Sequence, residues 1–290
     1  MFSTFTDTQK GIFLSLIGFT AYAFADASAK WLTIHYSVLQ VIAWTYFCAL
    51  IFCIVCAPWL GGIKCTLQTK KLKIHIARGL CNVLLAIFAV LSFSKLPLTS
   101  VYTIFFLAPF VITLLAIPLY KEHVDKKHWL VITLGFCGVL VAFPPGPAIF
   151  NPWVLMAFAA TFFIAILGLL ARPLGKDETI LSLCFYPSLA NTLVLLPFTL
   201  QDMTMPPLSH LAVFMLTGIM ITLGLSCVAH AFRTARHAVV APLHYTQIVW
   251  GIVIGYVLFG DIPALQMLLG AAIIIGSGIY LIETERRNGQ

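Results

Sequence analysis

Long apolar runs separated by short polar stretches dominate the chain. Ten of them, at 11–34, 37–58, 74–94, 98–120, 128–144, 152–172, 178–200, 208–231, 238–259 and 264–283, reach or approach the length of a membrane-spanning helix. Such a helix needs roughly 20 mostly apolar residues, because it rises about 1.5 Å per residue across about 30 Å of hydrocarbon. Segment 128–144 is the shortest, and the connections leave no room for a soluble domain. The pattern predicts an all-α polytopic membrane protein with ten transmembrane helices, each satisfying its own backbone polar groups in lipid.

Composition agrees with this reading. Hydrophobic residues make up 61% of the 290 residues and charged residues 9%, with a mean hydropathy of +1.00. A soluble domain is about 45–50% apolar and about 25% charged, so lipid must solvate much of the exterior. The net charge of +7 does not form one stripe of the kind nucleic acid requires. Instead the basic residues sit between the apolar runs, as the positive-inside rule demands. With the N-terminus cytoplasmic, the inner set includes Lys10, Lys64, Lys70, Lys71, Lys73, Arg78, Lys121, Lys126, Lys127, Arg172, Lys176, Arg233, Arg236, Arg286 and Arg287. Of the 17 basic residues only Lys30 and Lys95 fall outside. Both termini are therefore expected in the cytoplasm, with the chain a multi-pass protein of the cytoplasmic (inner) membrane. The N-terminal stretch lacks a basic region and a cleavage site, so the first segment reads as retained. The eight cysteines lie mostly in apolar runs; Cys53 and Cys56 form a CxxC with no second pair, which reads as structural.

Setting residue n against n+139 pairs Phe93 with Phe232 and Glu122 with Asp261; an offset of 142 pairs Lys30 with Arg172, Ser37 with Thr179 and Val38 with Ile180. Two copies of five helices each follow, over 1–147 and 148–290. Because five is odd, the second copy is expected to be inverted in the membrane, an arrangement common in secondary carriers.

Three stretches carry a family resemblance: LPLTSVYTIFFLAPFVITLLAIPLYKE at 96–122, HWLVITLGFCGVLVAFPPG at 128–146, and VVAPLHYTQIVWGIVIGYVLFGDIPALQMLLGAAIIIGSGIYL at 239–281. In both halves a proline lies within an apolar helix that ends in an acidic residue, and a Gly-rich helix follows. This resembles the drug/metabolite transporter superfamily, and within it the EamA-like ten-helix carriers. The resemblance covers nearly the whole chain and implies a transporter of small metabolites, not an enzyme, with no cofactor. Two departures stand out: Asp261 takes the place of the usual Glu, and Thr45 and Tyr46 stand where a basic residue is common in the second helix.

Candidate site residues follow from charge and depth. Asp26 is the acidic residue placed in the interior of an apolar segment, about 22 Å into the first helix, where a carboxylate needs a cavity or a cation. Lys30 shares its helix face; the two could bind a zwitterion or pass a proton, or Asp26 could serve as counter-ion to a snorkelling Lys30. Arg78 and Asn82 repeat the spacing on the third helix, Arg78 offering donors for a carboxylate or phosphate or closing the inner basic cluster. Tyr102, on the fourth segment, joins the candidate lining. The richest polar stretch runs from His230 through Arg233, Thr234, Arg236 and His237 to His244, Tyr245, Gln247 and Trp250. Gln247 and Trp250 share a face apt for a planar solute, with structural packing as the competing reading. Pro109 and Pro242 should interrupt their helices as hinges or as packing features. Glu122 and Asp261 end helices on opposite sides, as gates or as caps. The glycines at 135, 138, 270, 276 and 278 read as close helix contacts; Gly251 and Gly255 leave a homodimer open as well as internal packing.

Three functions compete. A secondary carrier working by alternating access comes first, since no G-x-x-x-x-G-K-[ST] and no soluble domain could hydrolyse ATP. Its solute reads as amphipathic or zwitterionic, with amino acids and derivatives ahead of vitamin- or nucleoside-type solutes such as riboflavin or S-adenosylmethionine; proton coupling through Asp26 is open. An intramembrane enzyme would need convergent nucleophile, acid or metal groups, and HExxH and GxSxG are absent. No metal site is expected. A receptor on a carrier fold is the third class.

Overall fold

A computed structural model describes residues 6–59, 62–120, 126–144, 150–174, 178–199, 204–235 and 240–288. Among them every regular element is helical. The helices are α1 (Asp7–Leu32), α2 (Val38–Cys56), a short α3 (Ile63–Leu67), α4 (Leu72–Lys95), α5 (Leu98–Phe105), α6 (Ala108–Tyr120), α7 (Lys126–Ala142), α8 (Pro152–Ala171), α9 (Ile180–Thr199), α10 (Leu208–Thr234), α11 (Thr246–Phe259) and α12 (Leu265–Asn288). Seven helical segments are long and apolar enough to cross a membrane, one of them α5 and α6 taken together; Thr133–Ala142, Leu243–Phe259 and Leu265–Tyr280 are shorter apolar helices.

Helix starts are set by local chemistry. Thr6 and Gln9 form a reciprocal capping box at α1. Ser37 Oγ accepts from Gln40 N at 3.3 Å to cap α2, and Thr179 Oγ1 accepts from Ser182 N at 3.0 Å at the start of α9. Ser37 and Thr179, the pair matched at an offset of 142, thus both cap helices. α11 stops at Gly260, whose φ of +68° suits glycine, and Asp261 N then bonds to Gly255 O at 2.9 Å.

The two proline interruptions fall where the sequence puts them. The helix breaks at Phe106–Leu107, just before Pro109, and Pro242 lies in a 3-10 turn, Ala241–Tyr245, that leads into α11. The missing N–H of proline and its clash with the preceding turn account for both.

Packing pairs α1 with α10, α2 with α9, α4 with α8, and α7 with α12, each pair joining one helix from either half. Small residues let backbones approach at the seams: a Cβ on Gly18 would meet Val228 Cγ2 at 2.7 Å, and one on Gly138 would meet Gly270 O at 2.9 Å. The main apolar core gathers Phe93, Leu98, Tyr102, Phe106, Phe110 and Ile274. Cys53 and Cys56 are both free thiols, and no disulfide occurs among the described residues.

Candidate functional site

The middle of the molecule holds polar side chains from α1, α2, α4, α5 and α9. Asp26 is half-buried on α1, and Tyr102 of α5 donates its hydroxyl to Asp26 Oδ2 at 3.0 Å. Tyr102 itself is 1% exposed. Its ring is clasped on the far side by α11, where a Cβ on Gly251 would stand 2.8 Å from Tyr102 Cδ2. Gly251 thus serves an internal contact that fixes the phenol aimed at Asp26. Tyr22 lies within electrostatic range of both Asp26 and Arg78, and Tyr46 within range of Asp26 and within hydrogen-bonding reach of Asn82. Asn82 Oδ1 accepts from Asn191 Nδ2 at 2.8 Å, and the same Nδ2 lies 2.9 Å from Pro187 O. Arg78 is buried, and its Nε and Nη1 have no hydrogen-bond partner among the described residues.

Lys30 does not turn to Asp26. Its Nζ pairs with Asp261 Oδ2 at 2.8 Å, donates to Leu96 O at 2.9 Å and sits 4.6 Å from the centroid of the Phe259 ring. The reading of Asp26 as its counter-ion is thereby corrected: Asp261, brought beside α1 by the turn after α11, supplies a closer carboxylate, and Asp26 instead accepts from Tyr102. This knot ties the ends of α1, α4 and α11 on one side of the molecule. Glu122 lies outside the described residues.

The stretch around α11 divides. His244 stacks on Phe19 at 4.9 Å and meets Phe106 edge-on at 5.4 Å. Gln247 is buried one turn on, within hydrogen-bonding reach of His244. Tyr245 packs against Phe106, and its hydroxyl occupies the space a side chain at Gly278 of α12 would fill. Trp250 points to α1 instead, its Nε1 donating to Thr20 Oγ1 at 2.9 Å and its ring lying 5.5 Å from Phe24. Tyr245 and Trp250 therefore do not face one shared space. Thr20 and Phe24 also line an open apolar groove of about 520 Å³ between α1 and α10. His230 is exposed, and Arg233 Nη2 donates to Glu178 O at 2.9 Å; Arg236 and His237 lie outside the described residues.

A second polar cluster, which the sequence did not disclose, lies at the opposite end from Lys30. Glu178, at the start of α9, accepts from Thr69 Oγ1 at 2.6 Å and Ser182 Oγ at 3.3 Å, and stands 3.2 Å from His75 Nε2, out of line for a hydrogen bond. Burial works to raise the Glu178 carboxyl, but Thr69, His75 and Ser182 together outweigh it and hold the group below the ordinary carboxylate range. Its position at the head of an apolar segment made it look like a solvated loop residue. The signal was the capping pattern at Thr179, which places Glu178 inside the packed entrance of a helix. Tyr22, Tyr46 and Asn191 were likewise missed, because uncharged polar residues in apolar helices resemble packing until their neighbours are known.

No group of three or more His, Cys, Asp or Glu side chains could hold a metal ion among the described residues.

Comparison with known proteins places this geometry. The model of the EamA-like transporter family matches residues 9–143 and again 151–284. An S-adenosylmethionine uptake transporter of Rickettsia conorii is 26% identical over 281 residues, covering 96% of this chain and 94% of the relative. A riboflavin transporter of Vibrio cholerae is 24% identical over 280 residues, covering 93% and 92%. A crystal structure at 16% identity superposes with a TM-score of 0.67 over 98% of this chain and 99% of its own, which shows the shared fold.

Proposed function

This chain belongs to the EamA-like transporter family and is a membrane transporter of small metabolites rather than an enzyme; from that premise we propose that it carries an amphipathic or zwitterionic solute, an amino acid or derivative, by alternating access. The two relatives' names supply the leading candidates to test: S-adenosylmethionine, which has an amino-acid head, and riboflavin, which lacks one.

The observation that carries this reading is Asp26, a carboxylate within the membrane-spanning part of α1, held by Tyr102 across the contact between α1 and α5. A charge at that depth is costly unless it faces partners or a route for solute. Its known partner is a single hydroxyl, so Asp26 keeps acceptor capacity for a cationic group. The groups facing it are Tyr22, Tyr46 and Tyr102; a proton on Asp26 would cancel the charge, which is how coupling to a proton gradient would work.

In this reading the three shorter apolar helices span as well, giving ten spans in two inverted five-helix halves, 1–147 and 148–290, with both termini in the cytoplasm. Support comes from the double family match, the paired caps at Ser37 and Thr179, and the asymmetry of the basic residues. The knot of Lys30, Asp261 and Leu96 closes the outer end, and the breaks near Pro109 and Pro242 supply hinges. The membrane is the cytoplasmic one.

The experiment is flux into liposomes. Purified protein should accumulate at least one labelled solute among S-adenosylmethionine, methionine, tryptophan and riboflavin, in competition with its unlabelled form. Leakage no greater than that of protein-free liposomes for the whole set would refute the proposal.

A further inference from the structure

We infer that Arg78 is the docking point for a carboxylate on the carried solute, so that the solute class bears an intact amino-acid head. The inference rests on the central site proposed above.

Arg78 is 7% exposed, yet Nε and Nη1 find no hydrogen-bond partner among the described residues. A guanidinium keeps its charge and carries five donors in a rigid fork. Buried without an anion it is costly, and proteins seldom tolerate it unless a ligand completes the pair. The groups that act on it most closely are the Cys184 thiol of α9 and the Tyr22 hydroxyl of α1, both neutral in their ordinary forms. Among the carboxylates whose side chains the structure describes, Asp7 is held by Lys10, Asp26 by Tyr102, Glu178 by Thr69 and Ser182, and Asp261 by Lys30. An anion from outside the chain would complete the two open donors of Arg78.

The charge of the site selects which anion. Arg78 and Asp26 both lie within electrostatic range of Tyr22, so one positive and one negative group share its neighbourhood. A carboxylate takes two parallel N–H bonds from the guanidinium, and the ammonium or other cationic centre of the same solute finds Asp26. Asn191 Oδ1, also buried and without a partner among the described residues, remains to accept from its donors. With an ordinary amino acid the occupied centre is then neutral. A phosphate ester would bring about −1.5 to −2 charges and leave an excess negative charge beside Asp26 in an apolar interior. An uncharged flavin would leave Arg78 unsatisfied.

The test compares solutes that differ by the carboxylate alone, using the full chain purified in detergent. S-adenosylmethionine, methionine and tryptophan are each set against the matching decarboxylated amine, with riboflavin as the uncharged control, and dissociation constants are measured for wild type, Arg78→Gln and Arg78→Lys. At least one acid should bind about 100-fold more tightly than its amine. Arg78→Gln should remove that difference while leaving the amine within about threefold of its wild-type value, and Arg78→Lys should restore part of it. Acid and amine binding alike to wild type, or no acid binding at all, would overturn the inference without reference to any variant. Equal weakening of acid and amine by Arg78→Gln would do the same. Riboflavin flux together with no acid binding at all would leave the transport proposal standing while removing this one.

Discussion

Lys30 shows what a single residue's neighbours in sequence can and cannot say. Asp26 stands one helical turn away, and the spacing alone makes it the obvious counter-ion. The partner is instead Asp261, 231 residues along the chain. Local spacing limits which side chains can meet on one helix, whereas the choice between two carboxylates is made by tertiary packing, here the turn at Gly260. That Asp26 lies within the helix α1 and that Gln247 is buried were legible from position alone. The direction in which Trp250 points was not, because Thr20 is an inconspicuous residue until α1 and α11 are packed together. The Lys30–Asp261 pair is partly buried, with side-chain exposures of 13% and 25%, so it should exceed an ordinary surface pair. Lys30→Met and Asp261→Asn should each lower thermal stability, and the double variant should show a coupling of about 1–2 kcal/mol in unfolding measurements. Strict additivity would mean that the pair holds nothing closed.

At the scale of elements, hydrophobic runs located every described helix except the short α3 (Ile63–Leu67) but could not divide them. Segment 98–120 reads as one apolar run, yet it folds as α5 and α6 with a break at Phe106–Leu107. Pro109 announced that break; how sharply it falls depends on neighbours that can satisfy freed backbone groups. Segment 238–259 behaves likewise, with the 3-10 turn Ala241–Tyr245 ahead of α11. Setting the breaks side by side at an offset of 139 pairs Phe106 with Tyr245, as the proposed repeat would require. The glycines read as contact residues do act so where Gly138 meets Gly270, while nothing lies within 4 Å of a Cβ built on Gly276. The α1–α10 seam gives the corresponding prediction. Gly18→Leu would drive a side chain into Val228 and the backbone of Gly224. Overpacking of this kind costs about 1–3 kcal/mol, so the unfolding midpoint should drop, whereas the same change at Gly276 should leave it nearly unchanged. A fall of equal size at both positions would show that contact across the seam is not the cause.

For the whole molecule, charge asymmetry and repetition carry the account. In the proposed topology the basic residues would assign a side to each connection, and the double match at 9–143 and 151–284 fits two copies of one unit. On a cysteine-free background, single cysteines at 147 or 204 should react with an impermeant reagent added outside, while those at 67 or 288 should react only after the membrane is opened. The reverse pattern would invert the topology. Against this frame the central site is the part least visible in sequence. Its members come from five helices, and only Asp26 and Arg78 advertise themselves by charge. The claim on which the account depends is that the charge of Asp26 lies on the solute route, and the flux of Asp26→Asn protein in liposomes tests it most directly. The substitution keeps the shape and leaves Tyr102 an oxygen to bond. With folding intact, uptake should fall about tenfold or more over the part of the range between about pH 5.5 and 8 in which Asp26 carries its charge. Uptake at the wild-type rate throughout that range would contradict it.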